Sequence, residues 1–186
     1  METLAAIHSR HSVGKVSIEP LSRETIEKLL FSGVQAPNHF KARPWRFVVI
    51  TGKGLEKLGE AMAESFSTKN PDAPVEAVEF ERNKPKKAPL VIAVASEPPQ
   101  GVREDDVENI CAAAAACQNI LLAAHDLGLG AIWKTGSYPH DPIIKNFLGF
   151  SPEQHLIGLL FIGKLDHSNA VYPDRPSFED RTVWMD

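Results

Sequence analysis

An alanine-rich stretch at residues 106–127 dominates the sequence. Its middle, from Cys111 to Cys117, reads CAAAAAC. Residues 106–127 contain neither glycine nor proline, and Gly128 follows them. Alanine has the highest intrinsic helix propensity, and glycine is favoured just past the end of a helix. The sequence therefore predicts a long helix over residues 106–127, whose small side chains let neighbouring elements approach closely.

The two cysteines of this stretch predict no disulfide. Residues six apart in a helix are separated by about 9 Å along the axis, whereas bridged Cα atoms lie within about 7 Å of each other. We interpret Cys111 and Cys117 as buried, reduced side chains of a protein in a reducing compartment.

Short apolar runs elsewhere predict strands that are covered on both faces. The runs PLVIAVAS at 89–96 and HLIGLLFIG at 155–163 contain almost no charged residue, which is typical of doubly buried strands. Neither an internal repeat nor a linker between two cores is visible, so we expect one α+β domain over residues 1–186. Strands are predicted at 45–51, 89–96, 131–134 and 155–163, and helices at 2–10, between the N-cap Ser22 and Pro37, and at 55–66, 75–82, 106–127 and 142–148.

Two segments have no clear hydrophobic period. Residues 67–88 hold three prolines among many charges, and we interpret them as a mobile excursion that carries the helix at 75–82. The tail, residues 164–186, contains Tyr172, Phe178 and Trp184. Because these aromatic side chains must pack against something, a partner subunit is one option.

The charge balance argues against nucleic acid as the main partner. The chain has 20 Lys and Arg residues against 24 Asp and Glu residues, a net charge of −4, whereas proteins that bind phosphate backbones usually carry a basic excess. The first residues lack the pattern of a signal peptide, and we see no apolar run long enough to span a membrane. We therefore expect a cytoplasmic protein without a membrane partner.

The common catalytic motifs are missing. Gly128 and Gly130 lie between a helix and a strand, in the reverse of the order that a dinucleotide-binding fingerprint needs. Neither a phosphate-binding P-loop nor a GxSxG nucleophile elbow is present,. The seven histidines show no metal-ligand spacing. We therefore predict no metal site and no catalytic serine, cysteine or carboxylate pair.

Groups that suit an anion occur instead at the ends of predicted elements. Arg10, His11 and Ser12 close the first helix, a polar basic loop at 38–43 precedes a strand, and Lys134 and Thr135 end another strand. Cations and hydroxyls are the groups that hold phosphate oxygens. Each group is also compatible with a solvated turn, and spacing alone does not show that they converge.

Three of these segments, taken in order, resemble the nitroreductase family. They are Arg10-His11-Ser12, the run 36–50 with its Ala-Pro-Asn-His and Pro-Trp-Arg-Phe sequences, and the alanine-rich helix that leads into GLGAIWK at 128–134. The similarity extends from residue 2 to about residue 165, and the short chain is most similar to the compact YdjA-like branch.

The resemblance implies a fold, a cofactor and a reaction. The fold would be α+β, with a central mixed β-sheet flanked by helices, in a homodimer with a swapped or extended C-terminal tail. Two FMN molecules would bind in clefts at the subunit interface. NADH or NADPH would deliver a hydride to the flavin N5, and a nitro compound or quinone would take the electrons in a ping-pong cycle without a catalytic side chain.

The resemblance also implies the residues of the cofactor site. Arg10, His11 and Ser12 match the segment that holds the flavin phosphate and ribityl chain, and His39 matches a flavin contact made from the other subunit. The strand end beside the flavin corresponds to Ile132, Trp133, Lys134 and Thr135, with Lys134 facing the phosphate. Gln35 and residues 122–127 match positions for cofactor or nicotinamide binding.

Departures from the family pattern leave alternatives open. Lys41 and Arg43 stand where many relatives have Asn and Gln, and Arg175 resembles a basic tail of larger relatives. The same scaffold could carry other flavin chemistry, such as reductive dehalogenation or flavin breakdown. It could also serve as a non-enzymatic flavin-binding regulatory or storage protein.

Overall fold

The computed structural model describes residues 2–101, 103–165 and 175–185, and their helices and strands follow the sequence prediction closely. The predicted helix at 106–127 spans Asp106–Asp126, and the predicted strand at 45–51 spans Trp45–Thr51. Ser22 caps its helix as expected, because its hydroxyl accepts the Thr25 N–H at 3.2 Å,. The elements are α1 Thr3–Ser9, α2 Arg23–Gly33, β1 Trp45–Thr51, α3 Lys53–Lys69, α4 Val75–Asn83, β2 Leu90–Ser96, α5 Asp106–Asp126, β3 Leu129–Lys134, α6 Pro142–Phe147 and β4 His155–Lys164.

The four strands form one sheet in the order β1-β2-β4-β3. The expectation of a mixed sheet does not hold for the described residues, because all three strand pairings are antiparallel. The helix α5 does connect two strands of the same direction, β2 and β3. Since β4 lies between them, every hydrogen-bonded neighbour still runs the opposite way.

Helices cover both faces of this sheet. One core cluster joins α2 and α5 to the sheet, and the other joins α3 and α6 to the opposite face. All seven residues of β2 are buried, which confirms the prediction of a doubly covered strand. In β4, Leu160 belongs to the first cluster and Phe161 to the second, as the alternation of strand side chains requires. The α+β class predicted from the sequence is confirmed.

The helix α5 is the core helix of the first cluster. By length and composition alone it could cross a membrane, with a mean hydropathy of 1.4, so the sequence does contain such a stretch. Eight of its residues are nonetheless buried in the fold.

The two cysteines of α5 differ in exposure. Burial raises the pKa of Cys117 to about 12. Cys111 is exposed, and its predicted burial was wrong. Six residues of helix turn the side chain through about 240°, away from the core.

The excursion at 67–88 contains the predicted helix, and that helix packs against α3. The backbone of Gly59 in α3 approaches the Arg82 carbonyl of α4 so closely that a Cβ would collide with it. The Arg82 guanidinium also pairs with Glu60 of α3 and Glu79 of its own helix. The excursion is therefore joined to the domain by both backbone and side-chain contacts.

A buried carboxylate connects α3 to the start of α6. Asp141 is fully buried, and its oxygens accept hydrogen bonds from Ser65 and Lys69 of α3. The same carboxylate caps α6 by accepting the N–H groups of Ile143 and Ile144 at 2.9 and 3.2 Å. Burial alone would raise the Asp141 pKa, but the hydrogen bonds from Lys69 and Ser65 outweigh it and the pKa is lowered.

Candidate functional site

The segment after α1 runs along the edge of β3. The Val13 N–H donates to the Ala131 carbonyl at 2.9 Å, and Gly130 makes room for the segment, because a Cβ there would lie 2.7 Å from Val16. Ala131 is three residues before Lys134, a distance of about 10 Å along a strand. The first and last of the predicted anion-binding segments are therefore brought to one edge of the sheet.

Positive side chains gather where α1 and α5 end. Arg175 donates from Nη2 to the Arg10 carbonyl at 3.2 Å. Burial, and next the charge of Arg175, lower the pKa of the Arg10 guanidinium. Two like charges held together are stabilised by an anion between them. We call Ser9, Arg10, His11, His125 and Arg175 the arginine cluster.

Two histidines complete the arginine cluster. Nε2 of His125, at the end of α5, lies 2.7 Å from the Ser9 hydroxyl, and Nδ1 of His11 lies 3.2 Å from the Ser9 carbonyl. Burial first, then the charges of His11 and Arg10, lower the pKa of His125, while Asp126 acts in the opposite direction. The cations at this end of α5 therefore act together with burial against a proton on His125.

A second group of cations lies on the other face of the sheet, at the end of β3. Nζ of Lys134 sits over the Phe161 ring at 4.3 Å from its centroid. Burial, followed by the charges of Lys87 and Lys84, lowers the pKa of Lys134. Lys84 is also paired with Glu81. We call Lys84, Lys87 and Lys134 the lysine cluster, and like the arginine cluster it is suited to negative charge.

Arg10 and Lys134, which we expected to share one anion, lie among different charges. The charged groups that act on Lys134 are Lys87 and Lys84, whereas Arg175 acts on Arg10. The reason is the pleat of β3. Ala131 and Trp133 face the first core cluster, so Ile132 and Lys134 point to the opposite face,. The structure therefore assigns the two cations to two clusters.

The other predicted residues of the strand end divide between core and surface. The Trp133 indole packs on the first core cluster and donates from Nε1 to the Ile157 carbonyl at 3.1 Å, and Ile132 packs on the second cluster. Ser12 and Thr135 are exposed at the sheet edge. Gln35 is exposed just beyond α2, where its amide donates to the Phe31 carbonyl at 3.3 Å. The described contacts of Gln35 do not involve either cluster.

His39 lies at the opposite end of α5 from the arginine cluster. Its Nδ1 is 3.4 Å from the Glu108 carboxylate in the first turn of that helix. His125 follows Glu108 by 17 residues, which corresponds to about 26 Å of helix. One chain therefore does not bring His39 to the arginine cluster, and a contact between them requires a second subunit.

The loop after His39 is strained. Phe40, Lys41 and Arg43 have positive φ angles of 47°, 59° and 48°, a conformation that costs about 1–3 kcal/mol for a residue other than glycine. The Asn38 side chain holds the loop by accepting the Arg43 N–H at 3.0 Å. Asn tolerates this region better than Lys or Arg does, so Lys41 and Arg43 carry a conformational cost.

Five of the clustered residues are not individual site candidates in the sequence. Lys84 and Lys87 belong to a KPKK run directly before a buried strand, and this position was the available signal. In the sequence, Arg175 only resembles a basic tail of larger relatives, and His125 is one of residues 122–127. His125 and Ser9 are 116 residues apart, so no local pattern links them.

Comparisons with known proteins agree with the fold and with the resemblance seen in the sequence. The model of the nitroreductase family matches residues 7–164. The YdjA protein of Escherichia coli strain K12, named as an NAD(P)H nitroreductase, is 26% identical over 163 residues, which cover 88% of each chain.

Two solved structures have the same fold. A nitroreductase-like family protein from Bacillus cereus superposes with a TM-score of 0.86 at 25% identity, over 100% of this chain and 96% of that one. A nitroreductase with bound FMN from Bacteroides fragilis superposes with a TM-score of 0.77 at 20% identity, over 100% of both chains. With a family match over most of its length, this chain belongs to the nitroreductase family.

Proposed function

We propose that the protein is an FMN-dependent NAD(P)H oxidoreductase that works by a ping-pong cycle. Family membership supports the reaction class, and the bound FMN of the Bacteroides fragilis protein supports the cofactor. The observation that carries the proposal is the pair of cation clusters at the β3 edge. Nitro compounds and quinones are the proposed acceptors, and either NADH or NADPH is the donor.

The chemistry of the two clusters fits FMN. A phosphomonoester carries nearly two negative charges at neutral pH, and Arg10 and Arg175 would hold that group with two neighbouring guanidinium groups. The lysine cluster lies about three strand residues further along and on the other face of the sheet, where it would act on the cofactor apart from the phosphate. Ser12 and Thr135 offer hydroxyls at the same edge.

The side chains of the protein would position the flavin and tune its reduction, and none of them has to act as acid, base or nucleophile. When bound, FMN accepts two electrons from a nicotinamide and passes them to the acceptor. Lys134, held over Phe161, adds positive charge to the half-buried end of β3. That potential favours the addition of electrons nearby. Trp133 holds the strand end in place through its bond to Ile157.

We further propose that the protein acts as a homodimer in the cytoplasm. Large apolar side chains are exposed on α1, α2 and α5, the layer that covers one face of the sheet, and this surface suits a self-complementary interface. The tail side chains Phe178 and Trp184 are 61% and 78% exposed, and Tyr172 lies outside the described residues. The exposed apolar set in the helical layer is Leu4, Ile7, Phe31, Val34, Val107 and Leu127.

The test is NADH and NADPH consumption by FMN-loaded protein, with and without a nitroarene or a quinone. We expect steady consumption that depends on the acceptor, and parallel lines in double-reciprocal plots, the pattern of a ping-pong cycle. An FMN-loaded protein whose flavin neither nucleotide reduces contradicts the proposal. That result would favour a flavin-binding regulatory or storage protein.

A further inference from the structure

One residue of the arginine cluster, Ser9, fixes the proton position on His125. The Ser9 hydroxyl donates to the Ala5 carbonyl at 2.6 Å and lies 2.7 Å from Nε2 of His125. A serine hydroxyl has a single proton, so the His125 Nε2–H must donate to Ser9. Nδ1 is therefore the atom of His125 that gains a proton when the ring becomes charged.

The same residue orients His11. The Ser9 carbonyl, an acceptor only, lies 3.2 Å from Nδ1 of His11, so that nitrogen carries a proton,. Both imidazoles are thus held against one residue, directly beside Arg10. On His125, Nδ1 is the nitrogen left to take up a proton.

The surrounding charges oppose a proton on His125 unless an anion is present. His11 and Arg10 come from the segment that ends α1, and Arg175 of the tail contacts the Arg10 backbone. Asp126, the next residue along α5, favours the proton but does not outweigh burial and the cations. A bound dianion would favour the proton, because it neutralises the guanidinium charges and attracts the charged imidazole directly.

We propose that His125 is a proton-linked positioning residue of the phosphate site, and that a phosphomonoester bound at the arginine cluster draws a proton onto its Nδ1. The inference rests on the proposed function in taking FMN as the source of the phosphate. Because binding takes up a proton, the affinity rises as pH falls. Over the pH range between two pKa values of His125, the affinity changes by up to about tenfold per pH unit. The lower limit is the pKa in the free protein, which lies below the ordinary value of about 6.5. The upper limit is the higher pKa in the complex.

The first test is the FMN dissociation constant from about pH 6.5 to about pH 8, for the wild type and His125→Gln. Glutamine keeps an N–H donor near the position of Nε2, so the Ser9 contact is preserved. We expect wild-type affinity to rise about tenfold as pH falls across this range, and the variant to change by less than about threefold. The phosphate's own titration is common to both proteins.

The control is His140→Gln, which replaces an exposed histidine on the 3₁₀ turn Tyr138–His140. This variant should retain the wild-type pH profile. A wild-type pH profile in His125→Gln would overturn the inference.

The second test needs no variant. Calorimetry of FMN, riboflavin and inorganic phosphate binding, in buffers of different ionisation enthalpy near pH 7.5, measures the protons taken up. We expect uptake with FMN, uptake with inorganic phosphate once the ionisation of the phosphate itself is subtracted, and none with riboflavin. FMN binding without proton uptake contradicts the role of His125 and leaves the proposed function standing. A protein that binds neither FMN nor inorganic phosphate contradicts both.

Discussion

At the scale of single residues, the guanidinium of Arg10 makes the sharpest prediction. A hydrogen bond to a charged group contributes about 1.5–3 kcal/mol, so Arg10→Ala should weaken FMN binding by about 10- to 150-fold at 1.4 kcal/mol per decade. Riboflavin lacks the phosphate, and its binding should be nearly unchanged. Titration of the apoprotein with both flavins measures the two effects.

The control for this comparison is Lys57→Ala, which removes an exposed cation of α3 and should leave both titrations as in the wild type. An equal loss of riboflavin and FMN affinity in Arg10→Ala would show that Arg10 supports the fold or the ring pocket.

Lys134 should behave differently, because its charge lies among Lys84 and Lys87 on the other face of the sheet. We predict that Lys134→Ala weakens FMN and riboflavin binding by similar factors, whereas Arg10→Ala discriminates between them. The same pair of titrations tests this difference. If Lys134→Ala lowered the affinity for FMN alone, Lys134 would have to contact the phosphate, which contradicts this prediction.

At this scale the sequence indicates which residue types the candidate site offers more readily than which of them lie together. Arg10 and Lys134 were visible because cations beside hydroxyls end two elements. Their separation was not visible, because it depends on which face of β3 each side chain takes. The contact of His125 with Ser9 spans 116 residues, so it follows from how α1 packs on α5.

At the scale of elements, Asp141 should control the docking of α6 on α3. Asp141→Asn retains a capping side chain but loses the charge that pairs with Lys69, and we expect a loss of about 1–3 kcal/mol in unfolding free energy near neutral pH. The Asp141 pKa is lowered by folding. Its contribution is therefore present above the unfolded value of about 3.9 and lost as pH falls through the lower folded value.

Urea denaturation of the wild type and Asp141→Asn, at neutral pH and below about pH 4, measures this linkage. The difference between the two proteins should shrink in acid. A difference that stays constant with pH would mean that shape, and not charge, is what Asp141 contributes.

A second element-scale prediction concerns the contact of α3 with α4. Gly59→Ala places a methyl group against the Arg82 carbonyl, and overpacking of this kind costs about 1–3 kcal/mol. Urea denaturation should show the loss. Gly14→Ala is the matched control, because nothing lies within 4 Å of a Cβ there; an equal effect of both changes would contradict the close α3–α4 contact.

The elements themselves were largely predictable, and the exceptions have physical reasons. The continuous apolar run of β2 and the alanine-rich run of α5 have unambiguous patterns, so their bounds came out nearly right. The exposure of Cys111 was missed because an all-small helix has no marked polar face. The antiparallel pairing was missed because sequence does not show that β4 enters between β2 and β3.

At the scale of the whole molecule, the cofactor should stabilise a dimer. At a free FMN concentration of 100 times the dissociation constant, one site contributes about 2.7 kcal/mol, or about 5–11 °C in melting temperature for a chain of this size. His39 and the arginine cluster lie at opposite ends of α5, so a flavin that contacts both requires two chains. Sedimentation of FMN-loaded protein should show a dimer, and a fully loaded monomer would contradict this arrangement.

The central claim is that the two cation clusters form an FMN site, and the flavin content of the freshly purified protein tests it most directly. We predict a yellow protein with flavin absorption in the visible range. Heating should release FMN, not FAD, in an amount that approaches one molecule per chain. A colourless protein that takes up no FMN on titration would contradict the account.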